Sequence, residues 1–174
     1  MAALEYLAKH LLFILMMAFL FISSVWQDAN AQVKPPRPIS VTVNPAQGLI
    51  FGAFYQGVSG GTVIIYSNGA RSVTGDIIQA NLGYSFSPAI FEVEALPGTL
   101  ISILNGPDIT LNGSNGGSMT LRIGASSRGT SFIANAIAPL TTQVTIGGTL
   151  TVGNSLANPP GNYSGAFSVT FIQE

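Results

Sequence analysis

The run YSGAFSVTFI, from Tyr163 to Ile172, places Tyr163, Phe167, Val169 and Phe171 on one parity and Ser164, Ala166, Ser168 and Thr170 on the other. Apolar residues at every second position have the period of a strand with one face in a core, whereas a helix would space them three and four apart. The stretch therefore predicts a structural β-strand, and the chain upstream repeats the pattern. Ile39-Ser40-Val41-Thr42-Val43 alternates in the same sense. Over residues 118–123, Met119, Leu121 and Ile123 face one way and Ser118, Thr120 and Arg122 the other, as in an antiparallel sheet with one wet side. Further strands are expected at 49–55, 61–67, 70–74, 89–95, 99–105, 143–146 and 149–153.

Turn signals punctuate these segments. Asn68-Gly69 lies between TVIIYS and ARSVT, a strong hairpin signal because both residues tolerate positive φ. Gly147-Gly148 is expected to turn TTQVTI into TLTVG in the same way, Leu96-Pro97-Gly98 to separate two strands, and residues 154–161 to loop before the final one. Residues 105–117 read as a loop rich in Asn and Gly. Within residues 126–140, Ile133, Ala134, Ala136, Ile137 and Ala138 suit a short helix, but Gly129 and Pro139 bracket it tightly and leave the stretch open. Short strands at this spacing predict an all-β fold, an antiparallel immunoglobulin-like or pilin-like β-sandwich over residues 39–174.

The amino end predicts export. Residues 11–22 (LLFILMMAFLFI) form an uncharged apolar run preceded by Lys9 and followed by a polar stretch ending Ala29-Asn30-Ala31. That small-x-small ending is what a signal peptidase reads, so residues 1–31 are expected to be a signal peptide cleaved between Ala31 and Gln32. A spanning helix needs about 20 apolar residues, and Trp26, Gln27 and Asp28 interrupt the run too early. Membrane contact is thus expected only through the transient signal, and the product is expected in the periplasm, on the outer surface or outside the cell. Residues 32–38 (QVKPPRP) carry three prolines and read as an exposed, extended arm.

Charge is scarce. Beyond residue 31, Lys34, Arg37, Arg71, Arg122 and Arg128 are balanced by Asp76, Glu92, Glu94, Asp108 and Glu174. Scattered cations make no phosphate-binding stripe, so nucleic acid is not an expected partner. A neutral surface also lacks the self-repulsion that keeps copies apart. The one histidine, His10, lies within the expected signal peptide, and the chain has no cysteine. Ser-His-Asp and Cys-His catalysis and His or Cys metal sites are therefore closed to the exported part. Glu92 and Glu94 sit about 6.7 Å apart on one strand face, a spacing known for inverting glycosidases, but Phe91, Val93 and Ala95 fill the other face and the glutamates read as a solvated one. Asp108 with Asn105, Asn112 and Asn115 supplies one carboxylate without calcium-loop spacing. No catalytic residue, cofactor or metal site is expected.

Residues 49–77, the stretch ITLNGSNGGSMTLRI (109–123) and the ending IGGTLTVGNSLANPPGNYSGAFSVTF (146–171) resemble a family of small secreted bacterial proteins, domain-of-unknown-function family 4402, itself similar to fimbrial and adhesin β-sandwich domains. The elements that carry the resemblance are Phe51-Gly52, Gly60-Gly61-x-Val63, Asn68-Gly69 and Gly161-x-Tyr163-x-Gly165-x-Phe167. It implies an exported sandwich and supplies no catalytic residues.

The expected function is that of a non-enzymatic structural or adhesive protein, a pilin-like subunit or cell-surface interaction domain. Its partners would be copies of itself, other surface subunits, or a host or environmental surface. Association by β-strand addition would use Ile39, Val41 and Val43 as donated side chains and Tyr163, Phe167, Val169 and Phe171 as the border of an open groove. In the competing expectation, residues 39–43 are the first strand of a finished sandwich. A monomeric binding module for glycan or another small ligand is the alternative, with Tyr84 the best exposed aromatic candidate among Tyr55, Tyr66, Tyr84 and Tyr163.

Overall fold

The computed structural model describes residues 40–43, 47–137 and 140–174, together with Met1, Glu5 and His10. The chain divides into two compact units, Met1–Pro35 and Pro36–Glu174. Among the described residues eleven strands lie in the second: β1 (Ser40–Val43), β2 (Phe54–Ile65), β3 (Arg71–Gln79), β4 (Ala89–Glu94), β5 (Leu100–Asn105), β6 (Ile109–Gly113), β7 (Ser118–Ser126), β8 (Ser131–Ile133), β9 (Thr142–Val152), β10 (Tyr163–Ser164) and β11 (Val169–Gln173). All pairings are antiparallel. The large sheet runs β1-β4-β9-β7-β6-β10, with β2 also on β9 and β3 on β2; the small sheet is β11-β5-β8. Their apolar faces share one core, so the unit is an antiparallel β-sandwich.

Alternation makes this arrangement inevitable once the register is set. Val73, Val63, Leu150, Leu121 and Ile109 lie in one transverse row across β3, β2, β9, β7 and β6, pointing into the core. One residue along each strand, Thr74, Thr62, Thr151, Thr120 and Thr110 form the adjacent row on the outer face. A slip of one residue would bury five hydroxyls and expose five aliphatic side chains. Cross-strand threonines pack their methyl groups and exchange hydroxyl hydrogen bonds, as Thr62 and Thr74 do at 2.6 Å. This outer row explains how a sheet with so little charge keeps a wet side.

Several expected elements take another form. The strand expected over 163–172 is interrupted: β10 pairs with β6 in the large sheet and β11 with β5 in the small one. Alternation survives the crossing, since Tyr163, Phe167, Val169 and Phe171 are all half-buried and their even-numbered neighbours exposed. The runs expected at 49–55 and 61–67 become a single β2, bulged between Gln56 and Gly61, while Leu49–Ala53 stays outside the strand. Residues 109–113, read as loop, form β6, because Ile109 and Leu111 face the core opposite Leu121 and Met119. The short helix that residues 133–138 would suit does not form over the described residues: residues 131–133 are β8, and Ala134 is locked to Thr99 and Gly98 by backbone hydrogen bonds of 2.9 and 2.7 Å. At Asn68-Gly69 the hairpin closes as expected, with only Gly69 at positive φ (85°).

Gly147-Gly148 does not turn. β9 runs straight through the pair, taking β4 along 142–146 and β2 along 148–152 on one edge while β7 occupies the other. The glycines are there for closeness. A Cβ on Gly147 would lie 2.1 Å from the Ile65 carbonyl oxygen, and one on Gly148 would meet Leu49 and Leu121 side chains at 2.8 and 3.1 Å. Gly147→Ala is therefore expected to cost about 3 kcal/mol or more by forcing backbone apart in the core. Gly69→Ala, in open space, is expected to cost only the left-handed penalty of about 1–2 kcal/mol. Urea unfolding midpoints of the two variants against wild type check the ranking.

Candidate functional site

A groove of about 660 Å³ opens in the side of the sandwich. Its floor is Leu111 of β6, Met119 and Leu121 of β7 and Leu150 of β9, inward residues of three neighbouring strands. One wall is the segment 49–56, which bridges to the stretch leading into β4 through Ile50 and Ser87 at 2.9 Å in both directions. The other is the segment 159–167. Among the described residues no charged side chain lines the groove. Gln56, Ser85, Asn162 and Ser164 supply polar groups at its rim, and Tyr55, Tyr84 and Tyr163 supply aromatic surface. A concave, mainly apolar site with a few polar groups is the usual form of a binding cleft.

Each wall is held by a residue the sequence reading did not single out. Asn158 is 2% exposed and carries the loop that ends in Pro159-Pro160. Its side-chain oxygen accepts from the Gly153 amide, its Nδ2 donates to the Ser118 and Ala157 carbonyls, and its own carbonyl accepts from Gln56 Nε2. The prolines cannot continue a ladder, so the loop stands away from the sheet and Asn158 ties it down. Tyr163 completes the brace by donating its hydroxyl to the Pro159 carbonyl at 2.7 Å. On the opposite wall Arg71, at the start of β3, donates from Nη2 to the Ala53 carbonyl at 2.6 Å and stacks 5.3 Å over the Phe86 ring. Burial lowers its pKa from the ordinary guanidinium range. The only sequence signals were an Asn before two prolines and a cation at the first position of a strand.

The structure brings Tyr163 and Phe167 into the groove lining, and sets Val169 and Phe171 two and four residues further on in β11. Phe167 and Phe171 pack on Phe91 with ring centroids 6.5 and 5.4 Å away. Tyr84, 68% exposed, and Tyr55 stand on the groove, whereas Tyr66 does not line it. Backbone pairing of Ser40–Val43 with Glu94–Phe91 places β1 at the edge of the large sheet. The expected cleavage residues Ala29, Ala31 and Gln32, together with Ile39 and the side chains of Val41 and Val43, lie outside what is described.

The two carboxylates considered for chemistry occupy β4, away from the groove. Glu92 accepts from the Thr141 hydroxyl and from Gln143 Nε2 at 3.1 Å, and these bonds hold its pKa below 4.5. Asp108 lies 3.8 Å from the Arg122 guanidinium, both side chains well exposed.

The chain belongs to the family described as a domain of unknown function, DUF4402, which matches residues 41–172. No curated protein and no solved structure matches it. The match covers every strand from Val41 of β1 to Ile172 of β11, and so the whole groove.

Asn158→Ala is expected to destabilise the sandwich by about 1–2 kcal/mol, since it leaves the part-buried Gly153 amide and Ser118 carbonyl without their side-chain partner. Thermal unfolding measures it. For Glu92 the sign follows from its depressed folded pKa: the hydrogen-bonded carboxylate adds stability above pH 4.5, and the gain disappears as pH falls through the lower folded value. Glu92→Gln is expected to flatten that acid limb by less than about 1 kcal/mol, because the group is well solvated. Urea titrations between pH 3 and 7 test this.

Proposed function

We propose that the protein is a non-enzymatic, exported structural or adhesive component of a bacterial surface whose copies associate by β-strand addition, in the manner of a pilin-like subunit. The observation that carries this reading is the free edge of β11. Among the described residues β11 pairs with β5 alone, leaving the peptide groups of Val169–Gln173 open along its other side. Exposed edges are normally blunted by charge, proline or a bulge. β3 follows that rule, with Arg71, Asp76 and the bulge against β2. β11 reads VTFIQ, and its outward Ile172 is 45% exposed. An edge of this kind templates a further strand. The near absence of net charge removes the barrier to contact between copies.

The tyrosines favour a second reading, a monomeric module that binds a glycan or another uncharged ligand. Tyr55 and Tyr84 offer rings at the rim of the groove, beside the amides of Gln56 and Asn162. Sugars stack on such faces and bond to such amides.

The test is to express the full chain in a bacterial host, recover it from periplasm and medium, and record its size distribution and negative-stain images. Strand addition predicts a ladder of oligomers or filaments, shortened by Ile172→Lys, which puts a charge on the open edge. A sharp monomer, with glycan binding reduced about tenfold or more by Tyr84→Ala, would establish the second reading instead.

A further inference from the structure

We propose that the groove between residues 49–56 and 159–167 accepts an extended segment of a second copy, and that the segment is Ile39–Val43. This rests on the strand-addition reading; it names the donor and adds the groove as an acceptor besides the open edge of β11. The groove has the chemistry of a place left for a strand. Its walls are backbone: among the described residues, Phe51 and Gly52 on one side and Gly165, Ala166 and Phe167 on the other make no backbone hydrogen bond. An inserted peptide satisfies such groups, whereas an acyl chain sealing the same groove would strand them away from water. The apolar side chains along the walls, Leu49, Phe54, Tyr163 and Phe167, are only half-buried although they pack on the core. Side chains arriving from above at every second position would complete that burial.

The occupant is selected by charge, period and length. With no charged residue in the lining, the donor must be uncharged, and Ile39-Ser40-Val41-Thr42-Val43 carries no charge and presents an aliphatic residue at every second position. Pro38 and Pro45 bracket it. Neither can donate a ladder hydrogen bond, so pairing is confined to the residues between them. Among the described residues Ser40–Val43 pairs along one edge, with four residue pairs to β4, and exchanging that short ladder is a modest cost. Residues 44–48 join Val43 to the wall at Leu49 and span at most about 20 Å, so donor and acceptor copies must touch. Each copy would give one segment and receive one. Such a contact propagates into an open chain, or closes into a ring or swapped dimer where the rotation between copies allows.

The probe is a fluorescent synthetic peptide of residues 32–45, titrated into the full-length chain and followed by anisotropy. Saturable binding is expected, weakened at least tenfold by Val41→Asp in the peptide and by Ser85→Trp in the protein, which plugs the rim from an exposed loop position. Asn162→Trp plugs the opposite wall and serves if Ser85→Trp fails to fold. Ile133→Lys, on β8 and off the groove lining, is expected to leave peptide binding unchanged. Absence of saturable binding, or binding indifferent to both plugs, overturns the inference, as does dodecanoate occupying the groove while the peptide does not. Oligomers that persist in a plugged variant overturn the groove as acceptor and leave strand addition standing. A wild type that stays monomeric at every concentration overturns the assembly reading and this inference with it.

Discussion

Strand β9 is paired along both of its edges, and the rest of the sandwich hangs on that fact. Its amino half holds β4, and through β4 the marginal strand β1; its carboxyl half holds β2 and the β2–β3 hairpin; its far edge holds β7, β6 and β10. A strand shared in this way can serve several neighbours only if backbones approach closely where they change over. Gly147 and Gly148 make that approach possible, since any side chain there would occupy space already taken by Ile65, Leu49 and Leu121. The inward residues of β9, Val144, Ile146, Leu150 and Val152, are correspondingly among the most deeply buried of the chain. Register along β9 then fixes the apolar row facing the core and the threonine row facing water.

The groove follows from the same architecture. Between Ser164 and Val169 the chain leaves the large sheet for the small one, and a segment crossing between layers cannot be hydrogen-bonded to both. Leu49–Ala53 likewise covers the core without joining the β2 ladder. The two irregular stretches stand over β6, β7 and β9 with a gap between them, and the floor of that gap is core. Its walls are held by polar devices: Asn158 with Tyr163 on one side, Arg71 with Phe86 on the other. Rigid walls around an apolar floor make a site that is ready for an occupant before it arrives, which lowers the ordering cost of binding.

Strand content was legible wherever alternation was strict. In 89–94 and 118–123 the buried positions follow the apolar parity residue by residue. Reading failed where one signal has two physical causes. Paired glycines between alternating runs mark a tight hairpin or a close crossing, and only the neighbours of Gly147 distinguish them. Ile109 and Leu111 are two apolar residues in a stretch dominated by Asn and Gly, too few to reveal β6 without Met119 and Leu121 opposite. The alanines and isoleucines near 133–138 suit a helix locally, but β8 gains its hydrogen bonds from β5, thirty residues upstream along the chain. Of the candidate site, Tyr163 and Phe167 were visible through their parity. Asn158 and Arg71 were not, because their role lies in partners that are distant in sequence.

By itself, the sequence determined the class of fold and the side of each strand that enters the core, because alternation with period two is a local property that burial converts directly into orientation. It also determined a neutral surface with little means for acid–base or metal chemistry beyond residue 31, because composition is blind to fold. Tertiary structure alone decided which strands are neighbours, that the closing run divides between two sheets, that β11 is left with an open edge, and that an apolar groove remains beside Phe167. These depend on contacts between segments far apart in the chain. Such contacts are chosen by the packing of the whole core and are written in no single stretch of residues.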